Sequence, residues 1–539
     1  MSALAAVLTQ GSTTLPQLVL PHLTAPPVMP EIILVGGAIL LLVVASLTSR
    51  RLPSWFHAGA TAAIGLASLG YTWTLWQGVQ AHGPYLAYAS ALSIDGFSLF
   101  FFILIDASVV LGCLVATAFL DRERMVGPEF YVLAMLSGSG AMFMAAANDL
   151  IVIFLGLEIM SIPLYILAGL NARRQESGEA AMKYFIMGAF SSAIFIYGIA
   201  LTYGATGSSN LAHIASYLAN NVATSDGLLL AGMALLLVGF GFKVAAVPFH
   251  TWTPDVYQGS PSPATGFMAA VAKAGGFAAL LRVFFSTFPT LRLDWQPAIW
   301  IMAVLTLALG AVLAVIQTDI KRMMAYSSIS HAGFVLVGLY AFSTQGISGG
   351  LYYLFTYAFM IIGTFAVITV MGRDGDGHHH IETYRGLARR RPVLSLCLAV
   401  LLMAQAGIPF TTGFLAKFYV IAAVVAQHRY ALAFIAMVSA VVAAFFYLRV
   451  IVVMYTPRSA GAGEGGPLQL AVASMPWGRR QLDDGQNGDG LGPRAAATHG
   501  GRAGSGAAPA PAALAGGGAQ MSGRAGDSPA PARAATEAG

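Results

Sequence analysis

Long apolar runs recur along most of the chain, and they restrict its fold more than any other feature. A helix needs about 20 apolar residues to cross the hydrocarbon of a bilayer. Only 9% of the residues are charged, whereas 57% are hydrophobic, a composition that large soluble proteins do not have. We therefore predict an all-α polytopic membrane protein with about thirteen transmembrane helices. The runs lie at about 31–48, 57–79, 93–119, 129–147, 150–170, 184–204, 227–250, 264–288, 297–317, 323–342, 347–371, 393–425 and 431–455.

Basic residues follow the odd-numbered runs and are almost absent after the even-numbered ones. Because positively charged loops stay in the cytoplasm, this pattern places the N-terminus outside and the end of each odd-numbered run inside. The basic residues after odd-numbered runs include Arg50, Arg51, Arg122, Arg124, Arg173, Arg174, Lys321, Arg322, Arg385, Arg389, Arg390 and Arg391, and the main exceptions are Arg292 and Arg429.

The two ends of the chain contain no spanning run. Residues 1–30 hold several prolines and no lysine or arginine, so we expect an extracytoplasmic arm. A cleaved signal peptide would carry a basic segment ahead of its apolar core. Residues 457–539 are rich in Gly, Ala, Pro and Arg, which is typical of a disordered tail.

Proline interrupts two of the runs close to a lysine. The seventh contains GFGFKVAAVPFHTWTPDVYQGSP, where Lys243 lies in an apolar stretch and Pro248 cannot donate a backbone hydrogen bond. The twelfth contains AQAGIPFTTGFLAKFYV, with Pro409 and Lys417. Interrupted backbone at membrane depth is tolerated only where protein or water covers it. The two interruptions are five runs apart, so they belong to copies that are inverted in the membrane, a pattern typical of transport sites.

Lysine is rare and lies mostly within or beside the apolar runs, whereas arginine supplies the loop charge. Unlike arginine, a buried lysine can exchange its proton near neutral pH, so the lysines are candidates for proton chemistry. An acid in the middle of LIVIFLGLEIMSIPLYIL is a candidate partner, and histidines near helix breaks can relay protons. The candidate residues are Glu158, Lys183, Lys243, Lys273, Lys417, His250 and His331.

Structural interpretations of several of these positions stay open. Glu158 is also compatible with a neutral, hydrogen-bonded acid. Lys183 begins its run, where a lysine side chain can extend to the membrane surface. Both histidines are compatible with a hydrogen-bonded structural role.

A histidine-rich loop favours a solvated surface over a metal site. His378, His379 and His380 lie close to Asp374 and Asp376 in this loop.

Two further groups have structural interpretations. Asp319, Lys321 and Arg322 are typical of an ion cluster at a helix end. Cys113 and Cys397 lie in apolar runs without metal or cluster spacing, so each is predicted to be a buried, inert thiol. The sequence therefore predicts no metal, cofactor or redox centre within this chain.

Four of these motifs together resemble one family. FKVAAVPFHTWTPDVYQGSP, LEIMSIPLYIL, DIKRMMAYSSISHAGF and GIPFTTGFLAKFYV are similar to the antiporter-like subunits of respiratory complex I, a family that also contains cation/proton antiporter subunits. The ending PDVYQGSP resembles the N-type branch of the NADH–quinone oxidoreductase subunits. The resemblance covers roughly residues 31–456.

The resemblance implies fourteen helices, with two inverted five-helix repeats and breaks in helices 7 and 12. No run after Tyr455 supplies the fourteenth helix. The implied divisions are the arm (1–30), three N-terminal helices (31–128), a first repeat of helices 4–8 (129–288), a second of helices 9–13 (289–456) and the tail (457–539).

The resemblance also implies a row of charged residues along the membrane midplane. On this chain the row is Glu158, Lys243, Lys273 and Lys417, and Lys183 matches a helix 6 lysine of the N-type branch. The implied activity is proton translocation in the cytoplasmic membrane of a bacterium, driven by electron transfer from NADH to a quinone. Other subunits would hold the NADH, flavin, iron–sulfur clusters and quinone.

The expected partners are neighbouring membrane subunits and the lipid bilayer, and nucleic acid is not expected. A stand-alone antiporter that exchanges Na⁺ or K⁺ for protons would use the same lysines. A purely structural membrane subunit is a third possibility, but it leaves the buried charges unexplained.

Overall fold

The computed structural model describes residues 25–48, 52–125, 127–221, 227–372, 376–377 and 379–457. The chain divides into two compact units, Met1–Ser459 and Ala460–Gly539, and all described residues belong to the first. Nearly all of the predicted tail and residues 1–24 of the predicted arm lie outside the described residues. The first α-helix begins at Met29, within the last residues of that arm.

The described part of the chain is built almost entirely from helices. The first set is α1 (Met29–Leu47), α2 (Ser54–His82), α3 (Gly96–Arg122), α4 (Glu129–Ala146), α5 (Leu150–Ala168), α6 (Gln175–Thr206), α7 (Leu211–Asn220), α8 (Gly227–Lys243), α9 (Trp252–Gly259) and α10 (Ser262–Arg282). A two-stranded antiparallel hairpin, β1 (Tyr85–Ala87) and β2 (Leu92–Ile94), connects α2 to α3.

The second set of helices follows a π-helical turn, Val283–Thr287, at the end of α10. It comprises α11 (Arg292–Val315), α12 (Ile320–Tyr340), α13 (Thr344–Met371), α14 (Leu387–Arg390), α15 (Pro392–Ala406), α16 (Thr412–Ala426) and α17 (Tyr430–Tyr455). Short 3-10 helices form at Pro26–Val28 and Ile381–Tyr384.

Every predicted apolar run coincides with one or two of these helices, which confirms the all-α polytopic fold. Among the described residues, ten helices are long and apolar enough to cross a membrane, and α8, α15 and α16 are shorter apolar helices beside the two interruptions. Helix α2 has 29 residues but is not among the ten. Its buried face carries polar side chains at helical spacing.

The first predicted interruption separates α8 from α9. Pro248 lies in the turn between them, and the neighbouring backbone amides find other acceptors. The amide of Ala246 donates to the carbonyl of Gly241 (2.8 Å), and that of Val247 donates to Oγ1 of Thr306 on α11 (2.9 Å). The residues from Val244 to Val247 are buried, so protein covers this break, as a low-dielectric environment requires.

The second interruption separates α15 from α16. Gly407 follows α15 with a φ of 81°, a left-handed conformation that residues with a Cβ rarely adopt. Thr411 then caps α16, where its Oγ1 accepts a hydrogen bond from the amide of Phe414 (3.3 Å). The second interruption leaves the carbonyls of Gln405 and Ala406 to accept hydrogen bonds from Lys417, whereas the first follows directly on Lys243 at the end of α8.

Matching backbone joints relate the two halves of the chain. One joint pairs the start of α5 with the segment that precedes α7, and the other pairs the start of α12 with the segment before Ile381–Tyr384. Since α5 and α12 arise from predicted runs five apart, they begin at opposite ends of the bundle, as inverted repeats require. The bonds are Leu150 to Ser209 (2.9 Å), Leu211 to Asn148 (2.9 Å), Ile320 to His379 (2.8 Å) and Ile381 to Thr318 (2.8 Å).

Helices α10 and α12 form the centre of the bundle. In their most apolar stretches, 94% and 89% of the residues are buried. α10 contacts α3, α4, α5, α8, α12 and α13. Polar side chains on these two helices are thus held away from lipid by the rest of the chain.

Candidate functional site

Lys243 is the last residue of α8, and its ammonium group is enclosed by protein. The residue is 3% exposed. Its Nζ donates to Oγ of Ser161 on α5 (2.5 Å) and lies 5.9 Å and 5.8 Å from the ring centres of Tyr165 and Tyr184. The ring faces supply negative potential, so this lysine is stabilised by a hydroxyl and two aromatic rings.

Glu158 lies on the same helix as Ser161, three residues earlier, but it faces outward. It is partly exposed and accepts a hydrogen bond from Ser192 on α6. Leu155 and Ile159 beside it are exposed. Among the described residues, no ion pair within 4.0 Å joins Glu158 to Lys243, although the two charges interact at longer range. The two residues lie on helices that meet where Lys243 contacts Ser161, without direct contact between the carboxylate and the ammonium group.

Lys273 lies in the middle of α10 and reaches α12. Its Nζ donates to the carbonyl oxygen of Ser328 and lies 5.4 Å from the ring centre of Tyr357. The hydroxyl of Ser328 accepts from Tyr357 (2.7 Å) and contacts the hydroxyl of Tyr257 (3.3 Å). Three hydroxyl groups therefore gather beside one buried lysine.

Beyond Ser328, whose hydroxyl is bound by Tyr357, a second set of polar contacts leads from α12 to α15. His331, one helical turn later, contacts the hydroxyl of Tyr447 through Nε2 (3.0 Å) and that of Tyr353 through Nδ1 (2.7 Å). Tyr447 also donates to Oε1 of Gln405 (3.4 Å) and contacts the hydroxyl of Ser327. Hydroxyl, imidazole and amide groups can each pass or orient a proton.

Lys417 ends this series on α16. Its Nζ donates to the carbonyls of Gln405 (2.9 Å) and Ala406 (2.7 Å), which the second interruption leaves free. It also lies 5.2 Å from the ring centre of Phe334. We term the buried groups Lys273, Ser328, His331, Tyr447, Gln405 and Lys417 the polar row. Within it, Ser328 and His331 are connected by Tyr357, whose hydroxyl donates to Ser328 and whose ring lies 5.0 Å from the imidazole, and not by a hydrogen bond.

The polar row stops between Lys273 and Lys243. Gly276, one turn after Lys273, packs against the stem of Lys243: an added Cβ would lie 3.3 Å from its Cγ. The hydroxyl of Tyr184, whose ring lies next to the ammonium group of Lys243, is buried without a hydrogen-bond partner in the described structure. A buried hydroxyl without a partner is a common position for an internal water.

Lys183 and His250 lie outside the polar row. Lys183 is at the start of α6, where its Nζ pairs with Glu179 (2.7 Å) and with Asp255 on α9 (2.8 Å). Asp255 also pairs with Arg322 on α12 (2.7 Å). His250 lies in the turn between α8 and α9, and its Nδ1 finds no partner among the described residues.

The histidine-rich loop differs from the expected solvated surface. Asp376 and His379 are 0% and 6% exposed. Asp376 accepts hydrogen bonds from the amide and hydroxyl of Ser262, which begins α10 (3.0 and 2.9 Å), and pairs with Lys321 (3.2 Å). The prediction of a solvated loop is wrong for Asp376 and His379, because the Asp376 carboxylate joins α10 to α12, whereas His380 is exposed. His378 and Asp374 lie outside the described residues.

Several basic groups keep Asp376 charged. Burial alone would raise the pKa of this carboxyl, but Lys321, His379 and the Ser262 hydrogen bond together hold it well below its usual range. Arg174 adds a bond from Nη1 to the carbonyl of Asp376 (2.8 Å). We term Asp376, Lys321, Ser262, His379 and Arg174 the Asp376 cluster.

The predicted single cluster of Asp319, Lys321 and Arg322 is also wrong. Asp319 caps α12 by accepting from the amide of Arg322 (2.9 Å), and the Arg322 side chain pairs with Asp255. Lys321 points elsewhere and is completely buried. Asp319, Lys321 and Arg322 thus each make a separate contact.

The cysteines behave differently from each other. Cys113 is buried as predicted, but Cys397 is exposed on α15, because it faces away from the bundle. Among the described residues, no group of three His, Cys, Asp or Glu side chains is placed to hold a metal ion.

The sequence reasoning missed the hydroxyl and amide members of the polar row. Tyr353, Tyr357, Tyr447, Ser328 and Gln405 are fully or almost fully buried, but single tyrosines are common in membrane helices and carry no distinctive spacing. Two buried acids, Glu31 and Asp106, were also missed. Asp106 lies within FFFILIDASVV, so the signal that singled out Glu158 was available there.

Sequence comparison with known proteins finds one matching family and related proteins of the same name. The pattern of the family described as NADH:quinone oxidoreductase/Mrp antiporter, TM, matches residues 147–443. The chain is 43% identical over 429 residues to NADH-quinone oxidoreductase subunit N of Trichlorobacter lovleyi, covering 79% of this chain and 87% of that protein. It is 46% identical over 367 residues to the Mycobacterium tuberculosis protein of the same name, covering 66% and 69%.

Solved structures share the fold. A chain of respiratory complex I from Thermus thermophilus with bound aureothin matches with a TM-score of 0.68 and 32% identity, over 84% of this chain and 94% of that chain. A chain of the membrane-bound sulfane sulfur reductase, an archaeal respiratory membrane complex, matches with a TM-score of 0.73 and 26% identity, over 86% and 96%. A chain of the Mrp complex from Dietzia matches with a TM-score of 0.72, over 82% of each chain, at 20% identity, which shows the fold alone.

Proposed function

Because the chain belongs to the NADH:quinone oxidoreductase/Mrp antiporter family, we propose that it is a membrane-arm subunit of an NADH–quinone oxidoreductase and that it carries protons across the membrane. The observation that carries this proposal is the polar row: two lysines, a histidine and a tyrosine, all buried inside a membrane protein. Hydrogen bonds join its members except between Ser328 and His331, where the ring of Tyr357 lies 5.0 Å from the imidazole. Buried ionisable groups are expensive in a membrane and typically mark an ion pathway. A purely structural subunit would gain nothing from such a row.

Each residue has a distinct role in the proposed path. Lys273 and Lys417 hold protons at the two ends of the row, and His331 with Tyr447 relays a proton between them. Lys243 loads the row through water near Tyr184. Glu158 modulates Lys243 electrostatically, since a neighbouring carboxylate favours the charged ammonium. In this structure Lys243 contacts Ser161 and not Glu158, which corresponds to the state in which the Glu158–Lys243 pair is separated.

The path also needs a source of free energy. Moving one proton against a potential of 100 mV costs about 2.3 kcal/mol. In the proposed assembly, NADH-to-quinone electron transfer in other subunits supplies this energy, and those subunits hold the flavin, the iron–sulfur clusters and the quinone. Glu158 lies beside the exposed apolar side chains of Leu155 and Ile159, a position from which a neighbouring membrane subunit can act on it.

The proposed location is the cytoplasmic membrane of a bacterium, with the N-terminus outside. The arginine-rich ends of the odd-numbered runs support this orientation. Lys183 and His250 stay candidates for proton entry, because both lie near the break between α8 and α9 rather than in the row.

The test is proton uptake by the purified assembly reconstituted in vesicles. Lys417→Met should strongly lower the number of protons moved per NADH oxidised, because methionine keeps the stem and removes the proton-binding group. Arg389→Gln, which removes an exposed positive charge, should leave that ratio unchanged. Normal uptake in an assembled Lys417→Met variant would contradict the proposed role.

The same vesicles distinguish the alternative function. A stand-alone antiporter exchanges Na⁺ or K⁺ for protons without NADH. Proton movement that is driven by a cation gradient, is lost in Lys417→Met and is indifferent to NADH would favour the antiporter over the oxidoreductase subunit.

A further inference from the structure

The N-terminal helices contain a second group of buried ionisable side chains that the polar row does not use. Glu31 on α1 and Asp106 on α3 are 1% and 0% exposed. Neither forms an ion pair among the described residues. Two ionised carboxylates without a cationic partner would each cost several kcal/mol in this environment. A group other than the surrounding side chains must therefore offset the cost of burying these carboxyl groups.

The two carboxyl groups belong to one site. Ser68 on α2 donates to Oδ2 of Asp106 (3.0 Å) and to the carbonyl of Pro30 (3.3 Å), the residue before Glu31. Thr72, one turn further, also donates to that Oδ2 (3.5 Å). The charges of Glu31 and Asp106 are close enough to interact. Small residues let the helices pack closely beside the two carboxyl groups. At Gly138 of α4, for example, an added Cβ would lie 2.8 Å from Val109 of α3.

The buried oxygens of this site lack partners. Both carboxylate oxygens of Glu31 and Oδ1 of Asp106 accept no hydrogen bond in the described structure. Natively buried polar atoms are almost always hydrogen-bonded to protein or water. These unpartnered, fully buried oxygens therefore point to a ligand or a proton that side chains do not provide.

A polar face of α2 leads from this site to one end of the bundle. Ser54, His57, Thr61, Ser68 and Thr72 are all buried and recur at helical spacing. Oγ of Ser54, Nδ1 of His57 and Oγ1 of Thr61 also lack partners within the described residues. From His57 to Thr72 this face extends about 22 Å at 1.5 Å per residue. Such a series of unpartnered polar atoms is suited to internal water.

The polar face opens into a pocket at one end. This pocket has a volume of about 510 Å³, and His57, Arg124 and Glu129 are among the residues that line it. The opposite end of the same helices carries the β-hairpin, where Tyr88 interacts electrostatically with Glu31. The carboxyl pair thus lies between this pocket and the hairpin.

We propose that Glu31 and Asp106 form a second proton-binding site, whose proton exchanges with water along the inner face of α2 from the pocket at His57. One proton reduces the charge of the carboxyl pair from −2 to −1 and a second neutralises it, and neither needs a coordination shell, whereas a metal cation needs several oxygens around it. Ser68 and Thr72 donate to Oδ2 of Asp106, which leaves Oδ1 of Asp106 and both oxygens of Glu31 as the positions that can carry the proton. This site is separate from the proposed path through Lys273 and Lys417.

Other charged groups near the site are occupied or remote. On α2 and α3 the remaining titratable groups nearest in sequence are Tyr71 and Cys113, and neither bonds to the pair. α13 carries no charged residue within its described span. The charged groups of the other packed helices are Glu129 at the far end of α4, and Lys273 and Arg282 on α10, which bind Ser328 and Asp95.

The experiment is infrared difference spectroscopy of the purified assembly, following the carbonyl stretch of protonated carboxylic acids as pH is changed and as H₂O is replaced by D₂O. We expect a band that titrates, that shifts in D₂O, and that is lost in Asp106→Asn and in Glu31→Gln. Ser68→Ala should move the band, since it removes a hydrogen bond to Asp106. Asp121→Asn, at the exposed end of the same helix, is the matched control and should change nothing.

Each alternative outcome overturns the proposal in a distinct way. A band that is lost in the variants but neither titrates nor shifts in D₂O would mean permanently neutral structural acids. The absence of any band that depends on Glu31 or Asp106 would mean that both are ionised around a bound cation. NADH–quinone activity of each variant reports assembly independently, so failure of this site leaves the polar row untouched.

Discussion

Tyr447 is the residue of the polar row whose substitution is most informative. Its hydroxyl contacts Nε2 of His331 (3.0 Å) and Oε1 of Gln405 (3.4 Å) and lies beside Ser327. Tyr447→Phe removes that hydroxyl and leaves buried partners unsatisfied, at about 1–3 kcal/mol. If the same loss raises the barrier for proton passage, the rate falls by roughly 5- to 150-fold, since 1.36 kcal/mol is a factor of ten.

Tyr353→Phe is the matched control. Tyr353 contacts Nδ1 of the same histidine (2.7 Å) and is equally buried, but it lies beside the row rather than within it. Both variants should lower thermal stability by similar amounts. Only Tyr447→Phe should strongly reduce proton uptake per NADH oxidised by vesicles that contain the assembly. Normal pumping in Tyr447→Phe, or equal losses in the two variants, would refute the order of residues derived for the row.

Three further predictions concern the lysines. Lys243→Met should depress NADH-driven proton uptake while assembly stays intact, and normal uptake would remove Lys243 from the path. Glu158→Gln combined with Lys243→Met should be no worse than the poorer single variant, because coupled residues are not additive; strictly additive losses in pumping would show that the two act independently. Gly407→Ala should cost about 1–2 kcal/mol in stability through its left-handed backbone and reduce pumping, since the new Cβ would lie 2.8 Å from Cδ of Lys417. Gly70→Ala within α2, with nothing within 4 Å, should not lower thermal stability, since alanine favours a helix interior, and should leave uptake unchanged.

The fold followed from the sequence because hydrocarbon leaves a chain few choices. Backbone groups must be satisfied within each span, so apolar length alone located the helices. The two interruptions were equally visible, because Pro248 and Pro409 stand beside Lys243 and Lys417. Short elements outside the hydrocarbon, such as α7 and the hairpin, obey weaker rules and were not anticipated.

The candidate site was only partly accessible from sequence. A charged residue in an apolar run is conspicuous, so Lys243, Lys273 and Lys417 were found, whereas Lys321 at a helix end was not recognised as buried. Their connections depend on which helix faces meet, and periodicity within one helix does not contain that information. The outward position of Glu158, the hydroxyls around Ser328 and the link through Tyr447 therefore needed the three-dimensional structure. The burial of the loop could not be predicted from the sequence either. Nothing near Asp376 in the sequence distinguishes it from a solvent-exposed acid, and its contacts with Ser262 and Lys321 appear only in the structure.

The Asp376 cluster leads to a prediction about stability. Asp376→Asn leaves the completely buried Lys321 without its counter-charge, and breaking a buried pair in this way costs about 3–5 kcal/mol. The sign of the pH dependence follows from the lowered pKa of Asp376. A carboxyl whose pKa is lower in the folded protein contributes stability that is fully present above its unfolded value, about 3.9. That contribution is lost progressively as pH falls toward the folded value.

Thermal unfolding of the purified assembly at a series of pH values measures this contribution. The difference between wild type and Asp376→Asn should be constant near neutrality and should shrink below a pH of about 4. Asp319→Asn is the control, because asparagine also caps helices well and Asp319 pairs with no buried lysine in the described structure. Adding Lys321→Met to Asp376→Asn should recover part of the loss, because the stranded charge is then gone. A difference that stays constant down to strongly acidic pH would mean that Asp376 is not ionised, and that α10 and α12 are joined by neutral hydrogen bonds.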